Sequence, residues 1–512
     1  MDRFDVAVIG AGPEGLVAAI TLARAGLRVV LLERASEPGG RAATVEFHPG
    51  FRASPYTDEL PAIPGRLYRS LNLARYGAVL APSPASVCIS SGGTSILFAD
   101  EDRLACTVPA AAMPGLLAFR RETEALQSAI EMRASLAPEP LPHGWFRSAS
   151  PFARTASWPS GGWAGVSLED ALAARIADPA LRLHLAADAV AGRAVSPFLA
   201  GTALHALAPG VGRSGQPAAG LGRLAAALVR AAGEAGVAIR CEAEVTDIRV
   251  VRGQAKASVV AGREHIETAA IVSALDLKRT FLTLVRWDVL PEAVVKRAGR
   301  FRMAGQRARV LFALDRPPDF PLAREYPDAA CAPIHVAESM QALSLAYDVW
   351  HAGVIPQVPL VTLRVPSFSD PRVAPIGKAV MTATLSAIPM QLFDGVWTEA
   401  RRAKLGAVAL AAAMRAMPGV EALVVAHRVI AGPDMENMLG TTDGDIEGGE
   451  LAPDQALGFR PFGGMQWQDG RTPVAGLYLG GPSSAGSPFL LGVSGERAAL
   501  AVLADFEAGR LR

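Results

Sequence analysis

Cysteine is scarce in this 512-residue chain, with only Cys88, Cys106, Cys241 and Cys331. They stand far apart with no C-x-x-C, which excludes a sequence-adjacent redox pair and leaves buried or idle thiols in a reducing compartment. Charge is scarce as well. Only 19% of residues are charged, and 50 Lys plus Arg face 49 Asp plus Glu, a formal charge of +1. No basic field exists to hold nucleic acid or an acidic membrane by charge alone. No His/Cys/carboxylate cluster has metal-ligand spacing, so no metal is expected. His335, His351 and His427 form no recognisable catalytic arrangement, and structural or surface roles are expected of them. Long apolar runs are missing too. The longest uncharged stretch, Ala194 to Gly212, is interrupted by Pro197, His205 and Pro209. A spanning helix needs ~20 mainly apolar residues. Strand residues begin almost at once, Phe4 to Ile9, so no signal peptide is expected. A cytoplasmic protein is the default, with peripheral membrane contact left open.

Apolar residues, by contrast, are abundant. Half the chain is hydrophobic and the mean hydropathy is +0.25, which favours a large core, an apolar ligand cavity, or both. The length is too great for one compact core and predicts two interlocked domains. The opening reads strand (Phe4 to Ile9), tight turn, helix (Leu16 to Ala25, stopped by Gly26) and strand (Arg28 to Leu32). From Glu37 to about Leu80 the text suggests loops and short helices. A helix is predicted over Leu221 to Ala235, then a β-meander and a strand over Ala270 to Ala274. Glu399 to Met417 is amphipathic. Near the end, a strand (Gly476 to Leu479), a loop and a helix (Val493 to Phe506) return to the opening theme.

Gly10-Ala11-Gly12-Pro13-Glu14-Gly15 fits G-x-G-x-x-G between a strand and a helix. Gly10 makes the tight turn, Gly12 lets backbone approach a pyrophosphate, and Gly15 lets helix and strand pack closely. Free N–H groups at the helix start face the anion. Glu33, 18 residues after Gly15 at the tip of the second strand, can take both ribose hydroxyls. This fingerprint does not separate NAD from FAD. Two further passages point to FAD. Glu37-Pro38-Gly39-Gly40-Arg41 brings backbone and a guanidinium to phosphate. The helix beginning near Val493 can aim N–H groups at a flavin pyrimidine oxygen.

Together V-I-G-A-G-P-E-G-L-V-A-A, L-L-E-R-A-S-E-P-G-G-R-A-A-T, A-I-V-S-A-L-D, L-A-P-D-Q-A-L-G-F-R-P, V-A-G-L-Y-L-G-G and G-V-S-G-E-R-A-A resemble the phytoene-desaturase group of flavoproteins. That group lies within the amine-oxidase-like FAD superfamily. The resemblance implies an α/β fold: a Rossmann-like FAD-binding domain built from discontinuous segments, with an inserted mixed α+β substrate domain. The segments expected are 1–85, 220–285 and 460–512 for FAD, and 86–219 and 286–459 for substrate. Carried over position by position, Gly10, Gly12, Pro13, Glu14 and Gly15 meet the pyrophosphate, Glu33 and Arg34 the ribose end, and Val245 the adenine. Gly40 and Arg41 sit near pyrophosphate and flavin, Gly481 and Ser483 near pyrophosphate and ribityl chain, and Gly492 and Val493 at the pyrimidine edge. One run departs from the family. Ser484 to Leu490 replaces Thr-His-Pro-Gly-Gly-Gly, and bulky Phe489 would narrow the space beside the isoalloxazine, which counts against carotenoid desaturation itself.

The resemblance implies transfer of two electrons from a C–H or C–N–H bond to flavin N5. The apolar composition suggests a hydrophobic small-molecule substrate, such as a polyene or isoprenoid. With no second G-x-G-x-x-G after a strand, the acceptor is expected to be external, oxygen or a quinone. Tyr56 and Phe47 are candidates to line the substrate cavity, with core packing the equal alternative. Three rivals stand beside this reading: a redox-neutral double-bond isomerase, an amine oxidase, and a lipid carrier like the prenyl-binding dissociation inhibitors.

Overall fold

The computed structural model describes residues 4–80, 83–135, 163–207, 220–462, 467, 469–486 and 489–511. In chain order the strands are β1 (Val6–Ile9), β2 (Val29–Leu32), β3 (Val45–His48), β4 (Phe51–Ala53), β5 (Ala85–Ser90), β6 (Gly93–Phe98), β7 (Ala238–Arg240), β8 (Val245–Val251), β9 (Gln254–Val260), β10 (Glu264–Glu267) and β11 (Ala270–Ser273). After them come β12 (Arg307–Leu314), β13 (Ile334–Val336), β14 (Val361–Arg364), β15 (Ala379–Ser386), β16 (Val424–Ile430) and β17 (Leu477–Leu479).

Five strands form one sheet in the order β17-β11-β1-β2-β7, every pairing parallel. Its inner strands are apolar at nearly every position because both faces are covered. Val6, Val8, Leu31 and Val272 face the helices Pro13–Arg24, Leu221–Glu234 and Val493–Glu507. Ala7, Ile9, Leu32 and Ile271 face the meander β8–β10 and the segment around Phe281. The strands come from three separated stretches of chain, so this α/β domain is discontinuous.

The second sheet has seven strands, β16-β12-β15-β14-β13-β5-β6, antiparallel except where β13 meets β5. Alternation along β12 sets its two contacts. Val310, Phe312 and Leu314 pack under the helix Glu399–Ala416 with Leu405 and Ala409. Leu311 and Ala313 turn the other way, toward Phe51, Tyr56 and Ile446. The second sheet thus backs onto the segment that follows the glycine turns.

The β3–β4 hairpin lies where sequence suggested loops and short helices. Strands of four and three residues carry too few alternations to be seen, and Gly50 at φ +79° makes the turn. Of the stretch from Ala194 to Gly212, residues 208–212 lie outside the described residues, as do residues 487–488 of the run that departs from the family. Among the described residues no helix is long and apolar enough to cross a membrane.

The helix Val493–Glu507 crosses Pro13–Arg24 at Gly495, where a Cβ would lie 2.0 Å from the Glu14 carbonyl oxygen. Gly495→Ala is therefore expected to cost about 1–3 kcal/mol through overpacking. Gly233→Ala, in a helix with nothing within 4 Å of the added Cβ, is expected to gain up to ~1 kcal/mol from helix propensity. Thermal unfolding should place Gly495→Ala below the unaltered chain and Gly233→Ala above it.

Candidate functional site

Two turns meet at the C-terminal ends of β1 and β2. After β1, Gly10 takes φ +95°, and Gly15 packs so tightly that a Cβ would sit 1.9 Å from the Gly10 carbonyl oxygen. After β2, Gly39 (φ +141°) and Gly40 (φ +52°) bring the chain back against the first turn. The Gly39 N–H donates to the Ala11 carbonyl at 2.9 Å. A Cβ on Gly40 would lie 2.8 Å from Gly12 Cα, so only glycine fits where the two backbones touch. Gly12 caps the helix Pro13–Arg24 without a side-chain hydrogen bond, leaving the N–H groups of its first turn available to an anion.

The Glu33 carboxylate is held in place by backbone. Oε2 accepts from Ala11 N at 2.7 Å and Oε1 from Ala35 N at 2.9 Å. Each oxygen keeps a lone pair for a ligand hydroxyl. Arg41 and Glu14 form a buried ion pair at 2.8 Å, and Arg41 also donates to the Ile446 carbonyl at 3.2 Å. Its Nε is buried with no hydrogen-bond partner. An unused donor on a buried guanidinium beside a glycine cradle fits an anionic ligand such as a pyrophosphate.

A cavity of about 570 Å3 runs through this region. Gly10, Gly12, Pro13, Glu14, Glu33, Arg34, Gly40, Arg41, Tyr56 and Val245 all line it. The structure brings these sequence candidates together. Tyr56 is buried, and burial pushes its phenol up to about 12, so it keeps its proton near neutral pH.

The remaining candidates stand behind the cavity wall and not in it. Gly15 spaces helix from strand. Gly481 abuts Leu275, where a Cβ would be 2.0 Å from its carbonyl oxygen, and Gly492 (φ +82°) presses on Leu67 and Val17. The Ser483 hydroxyl oxygen accepts from Leu277 N at 3.2 Å. Val493 and Phe489 belong to an apolar cluster with Leu104, Leu172 and Leu204. Phe489 is thus packed in the core, on the far side of the wall from this cavity's lining residues. Phe47 packs at 6.4 Å from Phe51, between ring centroids, and likewise does not line the cavity.

Sequence reasoning missed Asp276 and the segment Met438–Thr441, which also line the cavity. Asp276 accepts from Arg279 N at 2.8 Å and from Thr442 N at 3.0 Å. It stands three residues beyond β11, whereas Glu33 directly follows β2, and the signal for it was its place at the end of the A-I-V-S-A-L-D run. Met438–Thr441 carried no signal.

Between the two sheets lies a buried polar layer. Arg309, fully buried, holds Asp58 through two bonds of 2.6 and 2.8 Å, and Thr382 adds a third at 2.8 Å. Glu447 pairs with Arg307 and, at 3.5 Å, with Arg193. Burial opposes its charge, but Arg193, Arg307 and Arg41 prevail and hold its carboxyl well below the usual range. Asp445 nearby is pushed up to about 7, chiefly by burial. His184 sits between Ser86 and Ser95 at 2.8 Å each. Burial first, then neighbouring His335, lowers it to about 3. His205 is lowered to about 3 by burial and Arg193. His335 contacts Thr362 at 3.0 Å, while His351 and His427 are exposed. Among the described residues no group of three His, Cys, Asp or Glu could hold a metal ion, and all four cysteines are free.

The family model of the NAD(P)-binding Rossmann-like domain matches residues 8–57, the two glycine turns and the β3–β4 hairpin. Over nearly the whole chain there is similarity to rat pyridine nucleotide-disulfide oxidoreductase domain-containing protein 2, 28% identical across 99% of this chain and 94% of that one. A shorter match, 40% identical over 96 residues, covers 18% of this chain and 17% of a limonene dehydrogenase polypeptide from Castellaniella defragrans. In three dimensions the chain is similar to cyclohexylamine oxidase from Brevibacterium oxydans. The TM-score is 0.58 at 15% identity, covering 99% of this chain and 100% of that one. By fold, the chain carries a Rossmann-like dinucleotide-binding domain within an architecture similar to that of the oxidase.

The neutral histidines make stability pH-dependent. Unfolded, each titrates near ~6.5. Their contribution is fully present above that pH and is lost as pH falls toward about 3, because the unfolded chain then binds the extra protons. The melting-temperature gap between the unaltered chain and His184→Gln/His205→Gln should therefore shrink between about pH 7.5 and about pH 5, the two sides of the unfolded value. Asp445 titrates in the opposite sense in both proteins and cancels from the comparison.

Proposed function

We propose that the chain is an FAD-dependent oxidoreductase, similar to the phytoene-desaturase group, that removes two electrons from a C–H bond of a hydrophobic, isoprenoid or polyene small molecule. The observation that carries this reading is the cavity itself. Its walls hold together Val245, Glu33, Gly12, Gly40, Arg41, Tyr56 and Ile446, so the residues matched to adenine, ribose, pyrophosphate and flavin all line one space of about 570 Å3. Bound flavin would supply a two-electron acceptor there. The chain's own groups bind and orient: Glu33 takes the ribose hydroxyls, the Gly10–Gly12 and Gly40 backbone with Arg41 takes the pyrophosphate, and Val245 meets the adenine. Gly481, Ser483, Gly492 and Val493 set the wall behind the cavity. The apolar composition and the partial likeness to the limonene dehydrogenase polypeptide support an isoprenoid class. The free cysteines, none in a C-x-x-C, favour an external acceptor, oxygen or a quinone, over disulfide chemistry.

The first measurement is the visible spectrum of the purified protein, before and after added FAD, then with apolar substrates under anaerobic conditions. Bands near ~450 nm that bleach with an isoprenoid or polyene support the proposal. Bands that stay unbleached while a double bond moves favour the isomerase, and bleaching by an amine favours the amine oxidase. No bands even with FAD supplied would leave the lipid carrier. Glu33→Gln removes the charge-assisted bonds to ribose and should weaken FAD retention by about tenfold or more, read by equilibrium dialysis.

A further inference from the structure

Beside the dinucleotide cavity lies a larger one, about 930 Å3. Its walls come from the β3–β4 hairpin, the helix Leu221–Glu234 and the segment after β14. Glu37, Ala43 and Arg52 line both cavities, so Arg52 of the hairpin and the segment leading into it form the partition between them. Leu221, Ala225, Val229, Val365 and Val373 give the larger cavity an apolar surface. Such a chamber suits a hydrocarbon chain.

The charges in its walls are unequal. Five arginines face three carboxylates, Glu37, Asp58 and Asp370. Asp58 is committed to Arg309, Asp370 to Arg372 at 2.7 Å, and Glu37 is exposed. On the other side, Arg364 pairs with Glu59, and Arg223 approaches Asp370 at 3.6 Å. Arg230 is exposed and donates to the Tyr76 carbonyl. Arg52 differs from all of these. It is half-buried, its one described hydrogen bond is from Nη2 to the Thr44 carbonyl at 3.1 Å, and among the described residues it has no carboxylate partner. A guanidinium withdrawn from water beside apolar walls is stabilised by an anion that a ligand brings.

We infer that the larger cavity is the substrate chamber and takes an amphipathic monocarboxylate, its carboxylate paired with Arg52 at the partition and its apolar chain along the helix Leu221–Glu234. One planar guanidinium matches one carboxylate in charge and geometry. This rests on the flavin-enzyme reading and narrows its substrate to apolar chains that end in an acid. The end held at Arg52 is also the end nearest the dinucleotide cavity.

The test is calorimetric titration of the FAD-loaded full-length protein with decanoate and with 1-decanol. Decanoate should bind at least about tenfold more tightly, as a charge-assisted bond predicts. Arg52→Gln should bring the acid down to the alcohol, and Arg52→Lys should restore part of the difference. Equal binding of acid and alcohol to the unaltered protein overturns the inference, whether or not the variants fold. So does an Arg52→Gln protein that loses FAD affinity but keeps its preference for the acid. A protein with no flavin band that still prefers the acid retires the flavin reading and keeps the chamber. One with a flavin band and no preference does the reverse.

Discussion

Everything in the cleft depends on the contact between the turn after β1 and the turn after β2. Gly40 lies on the Gly12 backbone with no room for a side chain of its own, and Gly39 N–H to Ala11 O fastens the turns. The Glu14–Arg41 pair then lies across the contact, out of water. Removing either partner would leave a buried charge uncompensated, typically about 3–5 kcal/mol. The pair therefore makes the turns interdependent: neither can move without exposing or orphaning a charge on the other.

The same logic continues outward. Arg41 reaches Ile446, which precedes Glu447, and Glu447 holds Arg307 at the start of β12. Two residues along, Arg309 grips Asp58, which follows β4 and the glycine turns. The two sheets are thus joined by a closed circuit of charge and backbone bonds, and not by apolar packing alone. Buried ion pairs are weak sources of net stability but strong determinants of geometry. Here they fix how the second sheet sits over the cavity.

Much of this was legible in the sequence, and for physical reasons. The strand–glycine–helix–strand opening combines buried β-branched runs with glycines whose positive φ no other residue tolerates well, and Glu33 ends its strand where the chain must turn. The helix Leu221–Glu234 and the meander were readable from periodicity. The β3–β4 hairpin was not, because strands so short carry no period. The apolar neighbours of Phe489 were not legible either, because Leu104, Leu172 and Leu204 close on it from far away in the chain. The buried circuit through Asp58, Arg309, Arg307 and Glu447 was invisible for the same reason: the Arg309–Asp58 partners alone stand 251 residues apart in the chain.

The parallel sheet draws β1 and β2 from the start of the chain, β7 and β11 from its middle and β17 from near residue 480. During synthesis, then, the glycine turns emerge first but wait for nearly the whole polypeptide before β11 gains its outer neighbour and the helix Val493–Glu507 covers Pro13–Arg24. Pairings so distant are slow to form, and the apolar faces they bury stay open meanwhile. The floor under the glycine turns is thus assembled from both directions of the chain, and the first strand made is among the last to be fully covered.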